Sequence, residues 1–139
     1  MTPVQAVPID AGLIDGFWPK VAPWVAAALP WARGRWTLES IHDDLTGDFK
    51  RLWCVFRDNQ VISAVVTVNT DFPAVRVSTI LLCGGADADS WVPLILRNIE
   101  AAARAEGCGQ VEIIGRPGWR KLCPEYDLAG VWLVKELNR

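Results

Sequence analysis

The strongest pattern in this chain is AVRVSTILLCGGADADSWVPLILRNIEAAARAEGCGQVEIIGRPGW, residues 74–119. A β-branched strand (75–82) runs into a glycine pair, an amphipathic helix follows, and a second strand (110–114) leads into a Gly-Arg-Pro-Gly-Trp turn. Free backbone N–H groups and the helix dipole point the same way at such a helix N-terminus, which makes it an anion site. We expect a right-handed, parallel crossover between the two strands. This unit favours a ligand-binding α/β arrangement over a purely structural one.

Length and charge exclude several classes of protein. The chain has 139 residues, of which 51% are hydrophobic, so we expect one globular domain over residues 1–139. The net charge is −2 and no lysine or arginine cluster occurs, which argues against a nucleic-acid partner. No apolar stretch is long enough to cross a bilayer, and the first residues form no export signal. We therefore expect a cytoplasmic protein without a membrane partner.

The cysteines and the histidine predict neither a metal site nor a catalytic triad. Cys54, Cys83, Cys108 and Cys123 are far apart in sequence, and without export we expect them to be reduced thiols. Zinc sites need closely spaced ligand pairs, and the single histidine, His42, is near no cysteine in sequence. One histidine also leaves no evident Ser-His-Asp arrangement.

Eight tryptophans are unusual in so short a chain, and four of them lie in its first quarter. Trp18 and Trp24 have helical spacing, which favours burial in the core. Trp31 and Trp36 flank an Arg-Gly-Arg turn, where two interpretations stay open. They are core residues, or they form a binding surface for a protein partner, since tryptophan is enriched at binding hot spots.

Hydrophobic periodicity predicts the order of the secondary-structure elements. A helix over 10–29 contains Pro19 and Pro23, so we expect it to be kinked or divided. A second helix (37–45) is capped by Thr37 and ended by Gly47. The remaining predictions are an antiparallel meander (51–57, 61–68 and 75–82), a helix from Asp89 or Ser90 to 107, a strand (110–114), a short helix (119–123) and a final strand (128–137).

This order, with a glycine turn after the meander, resembles the GNAT superfamily of acyl-CoA N-acyltransferases. The resemblance runs from about Ile9 to Leu137 and implies an α+β fold in three layers. Its mixed central sheet, an antiparallel meander followed by a β-α-β crossover, would carry helices on both faces. The closing segment GRPGWRKLCPEYDLAGVWLVKEL also resembles small GNAT-like proteins encoded by phages and prophages.

The resemblance implies that acetyl-CoA is the cofactor. In GNAT proteins a strand backbone holds the pantetheine and a turn of the form Q/R-x-x-G-x-G/A holds the diphosphate. The matching positions here are the strand residues Ile80, Leu81 and Leu82 and the turn residues Cys83, Gly84, Gly85 and Ala86. Arg116, Arg120 and Lys121, which follow the second strand, either hold the phosphates of CoA or form a solvated face of a short helix. The first position of the motif has neither arginine nor glutamine, and Asp87 and Asp89 place carboxylates that compete with phosphate for the helix end.

The resemblance also implies a catalytic acid and a base. Cys123 occupies the position of the tyrosine that protonates the CoA thiolate in many GNAT proteins, and the only tyrosine, Tyr126, follows three residues later. For the base that takes the amine proton, the candidates are Asp71 and Glu112. Each of these four residues also has a simpler interpretation, as a buried thiol, an aromatic of the turn or a surface carboxylate.

The sequence leaves two functions open. The first is transfer of an acetyl group from acetyl-CoA to an unidentified amine, carried by a small molecule or a protein acceptor. The alternative is a catalytically inactive GNAT-fold module for binding or assembly, acting in a phage particle or against a host component. In that case the protein would lie in the host cytoplasm or in the virion.

Overall fold

The computed structural model describes residues 3–138 and contains a five-stranded mixed sheet. The strands are β1 (Val4–Ile9), β2 (Arg51–Arg57), β3 (Gln60–Asp71), β4 (Arg76–Gly85) and β5 (Gln110–Ile113). They lie in the order β1-β2-β3-β4-β5, with antiparallel pairing everywhere except between β4 and β5, which are parallel. The predicted meander and parallel crossover are therefore confirmed.

Four α-helices accompany the sheet among the described residues. They are α1 (Ile14–Ala28), α2 (Leu38–Thr46), α3 (Ala88–Ala105) and the single turn α4 (Trp119–Leu122). Short 3₁₀ turns, Ala11–Leu13 and Leu29–Ala32, precede and follow α1. None of these helices is long and apolar enough to cross a bilayer.

Two hydrophobic clusters lie on opposite faces of the sheet. Alternation along β2 sends Leu52 and Cys54 towards α1 and α2, and sends Trp53 and Val55 towards α3. Because both faces are covered, β2 reads as a nearly continuous apolar run, as predicted. The predicted α+β fold class, with helices on both faces of a mixed sheet, is confirmed.

Local signals for helix and turn geometry are mostly confirmed. Thr37 caps α2 in a capping box with Ser40, and Gly47 follows its last residue. Asp58 and Asn59 both have positive φ, 51° and 62°, as a tight hairpin turn requires. Helix α3 begins at Ala88, one or two residues before the predicted start.

The structure differs from the predicted secondary structure in three places. Strand β1 was missed, because VQAVPI is short and contains a proline, which an edge strand tolerates. Helix α1 is one helix through Pro19 and Pro23, and its buried face rests on the sheet. The predicted final strand, 128–137, has no regular secondary structure and pairs with no described strand, and Leu133 is 87% exposed.

Strand β4 is the element that shapes the site. Val66 of β3 faces Leu82 whereas Thr67 faces Ile80, so Leu81 is the extra residue of a β-bulge. The strand then continues to Gly85, three residues beyond its predicted end. The glycine pair is therefore the end of the strand rather than a turn after it.

Glu106, the residue that follows α3, links the C-terminal end of this helix to the sheet. Its carboxylate accepts two hydrogen bonds from Arg51 of β2, at 2.7 and 3.0 Å. This bidentate pair lowers the pKa of Glu106 below its ordinary value of 4.5. A lowered pKa in the folded state stabilises the protein above the ordinary pKa, and that contribution is lost as the pH falls through the folded value.

We expect Glu106→Gln to lower the free energy of unfolding at pH 7 by about 0.5–1 kcal/mol, since the pair is partly exposed. The difference from wild type should shrink as the pH falls below 4.5 and Glu106 becomes protonated in both states. Urea unfolding at several pH values measures it, with the exposed Glu125→Gln as control. A difference that stays constant with pH would contradict the role of this ion pair.

Candidate functional site

A gap opens between β4 and β5 where their pairing stops. The two strands are paired as far as Ile80 and Ile113, and the N–H of Ile114 still donates to the carbonyl of Ile80 at 3.2 Å. Beyond that point β4 remains paired with β3 through Gly85, opposite Ser63. The backbone of residues 81–85 therefore presents a free edge towards the gap. Free strand edges bind extended ligands through main-chain hydrogen bonds.

Two clefts meet at this gap and share the residues Cys83, Gly84, Gly85, Arg116 and Trp119. The first, which we call the α1 cleft, has a volume of about 280 Å³ and lies between the gap and α1. Its further lining residues are Trp24, Ala27, Ala28, Trp31, Ile80, Leu81, Leu82 and 113–115. The second, the α3 cleft, has about 260 Å³ and is completed by Ala88, Trp91, Gly118 and Leu122.

Most of the predicted cofactor-binding residues lie at this gap. Leu81, Leu82, Cys83, Gly84 and Gly85 line the α1 cleft. Arg116 lines both clefts.

Three other predicted cofactor residues, Ala86, Arg120 and the exposed Lys121, lie outside the clefts. The N–H of Ala86 donates to the carbonyl of Ile62 at 3.2 Å, and its carbonyl accepts a hydrogen bond from the indole of Trp91 at 2.6 Å. Arg120 is exposed on α4.

The glycine pair allows close packing inside the protein. A Cβ on Gly84 would lie 2.9 Å from both the Cβ and the carbonyl oxygen of Trp24 in α1. Gly85 has φ +132°, and a Cβ there would overlap the Cβ of Ser63. Only glycine fits at either position, because α1 and β3 approach the backbone so closely.

An arginine that the sequence patterns did not single out lies at the N-terminus of α3. Arg57, which ends β2, contacts the Asp87 carboxylate at 3.3 Å and donates to the Ser90 hydroxyl at 2.9 Å. It thus compensates one of the two carboxylates that oppose an anion at this helix end. No sequence signal identified it, since 30 residues separate Arg57 from Asp87.

The two predicted bases have different surroundings. Asp71 lies at the opposite end of β4 from the gap, paired with Arg76 at 2.6 Å, and this hydrogen bond lowers its pKa. Glu112 is exposed on β5, next to the gap, and accepts a hydrogen bond from Thr79 at 2.7 Å. Its neighbours Val111 and Ile113 pack on the α3 side, so alternation turns Glu112 to the side of α1.

The two predicted acids are held by the second hydrophobic cluster. Cys123 is 4% exposed there, and burial raises its pKa. The Tyr126 hydroxyl donates to Glu100 of α3 at 2.8 Å. Burial, followed by the hydrogen bond to this carboxylate, raises the pKa of Tyr126 well above its ordinary value. Neither residue lines either cleft.

The α1 cleft is largely apolar, and two cations lie close to its tryptophans. Its only ionisable lining groups among the described residues are Cys83 and Arg116. Burial raises the pKa of Cys83 to about 12, so its thiol is neutral at pH 7. The guanidinium of Arg116 lies 5.6 Å from the ring centroid of Trp31, and the ammonium of Lys20 lies 5.4 Å from that of Trp24. Both distances are typical of cation–π contacts.

The tryptophans of the first quarter have different environments. Trp31 is 52% exposed at the α1 cleft, whereas Trp36 packs against the first hydrophobic cluster with Lys50 above its ring. Trp18 packs against the same cluster and lies 4.9 Å from His42. Arg35, between Trp31 and Trp36, contacts Trp132, so the C-terminal chain lies against this turn. The sequence predicted one shared role for Trp31 and Trp36, whereas their environments differ.

Comparison with known proteins supports the fold through structure alone. The sequence matches no known family model, and no curated protein is detectably similar to it. A predicted acetyltransferase from Clostridium acetobutylicum, solved with acetyl-CoA, is similar in structure, with TM-score 0.66 and 13% identity over 98% of this chain and 96% of that one. A GNAT family acetyltransferase from Staphylococcus aureus has TM-score 0.64 and 10% identity, covering 99% of this chain and 100% of its own.

A third similar structure is an aminoglycoside acetyltransferase from an uncultured soil metagenomic sample, in complex with sisomicin. It has TM-score 0.69 and 9% identity, and 97% of each chain is covered. At these identities the matches show that the chain has the fold of GNAT acetyltransferases. They give no support to the resemblance to phage proteins.

We expect Gly85→Ala to destabilise the protein by about 3 kcal/mol, because a side chain there combines overpacking with an unfavourable φ. Gly118→Ala is the matched control, since a Cβ at Gly118 meets nothing within 4 Å and its φ is −58°. Urea unfolding measures both variants. If Gly85→Ala unfolds within about 0.5 kcal/mol of wild type, the usual range for neutral substitutions, the packing interpretation is wrong.

Proposed function

We propose that this protein transfers an acyl group from an acyl-CoA to an amine, with acetyl-CoA as the donor to test first. The observation that carries the proposal is the free edge of β4 at residues 81–85, which lies between two clefts on either side of one gap. The amide groups of a pantetheine chain can pair with such an edge as an added strand does. The fold supports this by analogy alone, since one fold hosts many functions.

The residues around the gap suit the parts of an acyl-CoA. The backbone of residues 81–85 would hold the pantetheine, and the thioester would supply an activated acyl group. The first turn of α3 would hold the diphosphate through free N–H groups. Arg57 supplies positive charge at that turn, where the sequence motif lacks its usual arginine or glutamine.

Of the four predicted catalytic residues, we propose Glu112 alone. Its carboxylate is exposed, next to the gap and on the same side of the sheet as α1. One Glu112 oxygen would accept the proton of the amine, directly or through water, while Thr79 holds the carboxylate in place by its hydrogen bond. Asp71 is at the wrong end of β4, and Cys123 and Tyr126 are held against α3.

A second candidate function is binding of an acyl-CoA without catalysis. It is favoured by the absence of any carboxylate among the described residues that line the α1 cleft, and by the engagement of Tyr126 with Glu100. Isothermal titration with acetyl-CoA, followed by measurement of CoA release with a panel of amines, separates the two candidates. Binding with release supports the enzyme, and binding without release supports the second candidate. Without binding, both candidates fail.

We expect Arg57→Gln to weaken acetyl-CoA binding about tenfold, the effect of losing one charge-assisted hydrogen bond. Arg97→Gln is the control, because Arg97 is exposed on α3 two turns from its N-terminus. Asp87→Asn should tighten binding by removing a carboxylate from the same helix end. Titration calorimetry measures all three, and equal affinities would exclude this turn as the diphosphate site.

Replacement of the proposed base should affect turnover. We expect Glu112→Gln to lower kcat by about 10²–10⁴ while leaving acetyl-CoA affinity unchanged, as is usual for one positioned base. Asp71→Asn, a carboxylate change at the far end of β4, should leave kcat unchanged. Thiol release assays measure both, and a similar loss in the two variants would contradict the assignment.

A further inference from the structure

We infer that the acyl acceptor is a free aromatic α-amino acid, bound in the α1 cleft with its side chain among tryptophans and its carboxylate on Arg116. The inference rests on the proposed function, since it names the amine that the same site would acylate. It depends on three properties of the α1 cleft, namely its apolar walls, its small size and the sign of its charge.

The walls of the cleft suit an aromatic side chain. Trp24 and Trp31 lie on the α1 side and Trp119 lies on the α4 side, and the rest of the lining is largely aliphatic or backbone. Indole rings bind flat apolar groups over a large area, and aromatic pairs gain beyond simple burial. The volume of about 280 Å³ is at the lower limit of ligand sites, which suits a single small ring better than an oligosaccharide.

The charge of the cleft suits a carboxylate. Arg116 is its only charged lining residue, and within residues 3–138 it forms no ion pair with a carboxylate. The guanidinium lies over Trp31, which leaves its planar donors available to an anion at the cleft. A guanidinium binds a carboxylate in bidentate fashion. An apolar ring beside one unpaired cation is complementary to an aromatic amino acid.

The same charges disfavour a polycationic acceptor such as an aminoglycoside. Lys20 and Arg116 both lie over tryptophans of the cleft, and no carboxylate lines it in the described chain. Like charges across a binding site cost affinity, and specificity often arises from such repulsion. The fold is shared with an aminoglycoside acetyltransferase, but the arginine in this cleft favours an anion over a polycation.

The transfer requires only the amine, the thioester, Glu112 and solvent. The α-amino nitrogen forms an amide bond with the acyl carbon, and the carbon–sulfur bond of the thioester breaks. Glu112, four residues before Arg116 on the same segment, takes the proton that the nitrogen loses. The departing thiolate takes a proton from solvent.

The test compares L-phenylalanine with L-phenylalaninamide, which has the same ring and amine but no carboxylate. Binding is measured by calorimetry in the presence of CoA, and turnover by CoA release from acetyl-CoA. We expect wild type to favour phenylalanine about tenfold, the worth of one charge-assisted contact, and to bind kanamycin more weakly than either probe. Arg116→Gln should abolish the preference, Arg116→Lys should keep part of it, and the control Arg97→Gln should keep all of it.

The outcomes separate this inference from the proposed function. Equal binding of phenylalanine and its amide by wild type overturns the inference, as does a preference that survives in Arg116→Gln or tighter binding of kanamycin. In each of these cases, binding and turnover of acetyl-CoA would leave the proposed function in place. Unchanged affinity of Arg116→Gln for CoA is required, because a loss would assign Arg116 to the cofactor instead. Failure of wild type to bind acetyl-CoA would overturn the proposed function itself.

Discussion

The close contact between α1 and β4 is the constraint on which the rest of the site depends. At Gly84 the backbone of β4 lies so near to Trp24 that a Cβ would be 2.9 Å from its carbonyl oxygen. Along one edge, β4 is paired with β3 as far as Gly85. Along its other edge, the pairing with β5 ends at Ile80. The last residues of β4 are thus rigid on one edge and open on the other. A free edge on a rigid strand is preorganised for an extended ligand, which reduces the entropy lost on binding.

The charges around this gap are divided between its two sides. At the N-terminus of α3, Arg57 balances Asp87 and adds positive charge to the free N–H groups of the helix, which suits a diphosphate. On the side of α1, Arg116 is the only charge that residues 3–138 place in the lining of the cleft, with Glu112 on the strand beside it. One gap therefore joins an anion site to a small aromatic pocket. The proposed transfer from an acyl-CoA to an aromatic amino acid would use both sides of the gap.

Several patterns within a short window of sequence were read correctly. The capping box of α2, the positive φ of Asp58 and Asn59, and the apolar run of β2 each follow from neighbouring residues, and each is confirmed. The prediction of the final strand is wrong because a strand depends on residues that are distant in sequence. Residues 128–137 have the composition of a strand, but a strand needs a partner, and none of the described strands pairs with them. The β-bulge at Leu81 likewise depends on the register of two strands, which no local pattern specifies.

By itself the sequence determined most of the element types, the mixed sheet and the segment that lies at the gap, because hydrophobic period, caps and turn residues act over a few positions. Only the tertiary structure decided which side chains meet. It placed Arg57 against Asp87, Arg116 against Trp31 and Tyr126 against Glu100, pairs that are between 26 and 85 residues apart in the chain. It also gave Gly84 its role, since the residue that excludes a side chain there lies on another element. Such contacts depend on how the layers pack, and packing is a property of the whole chain.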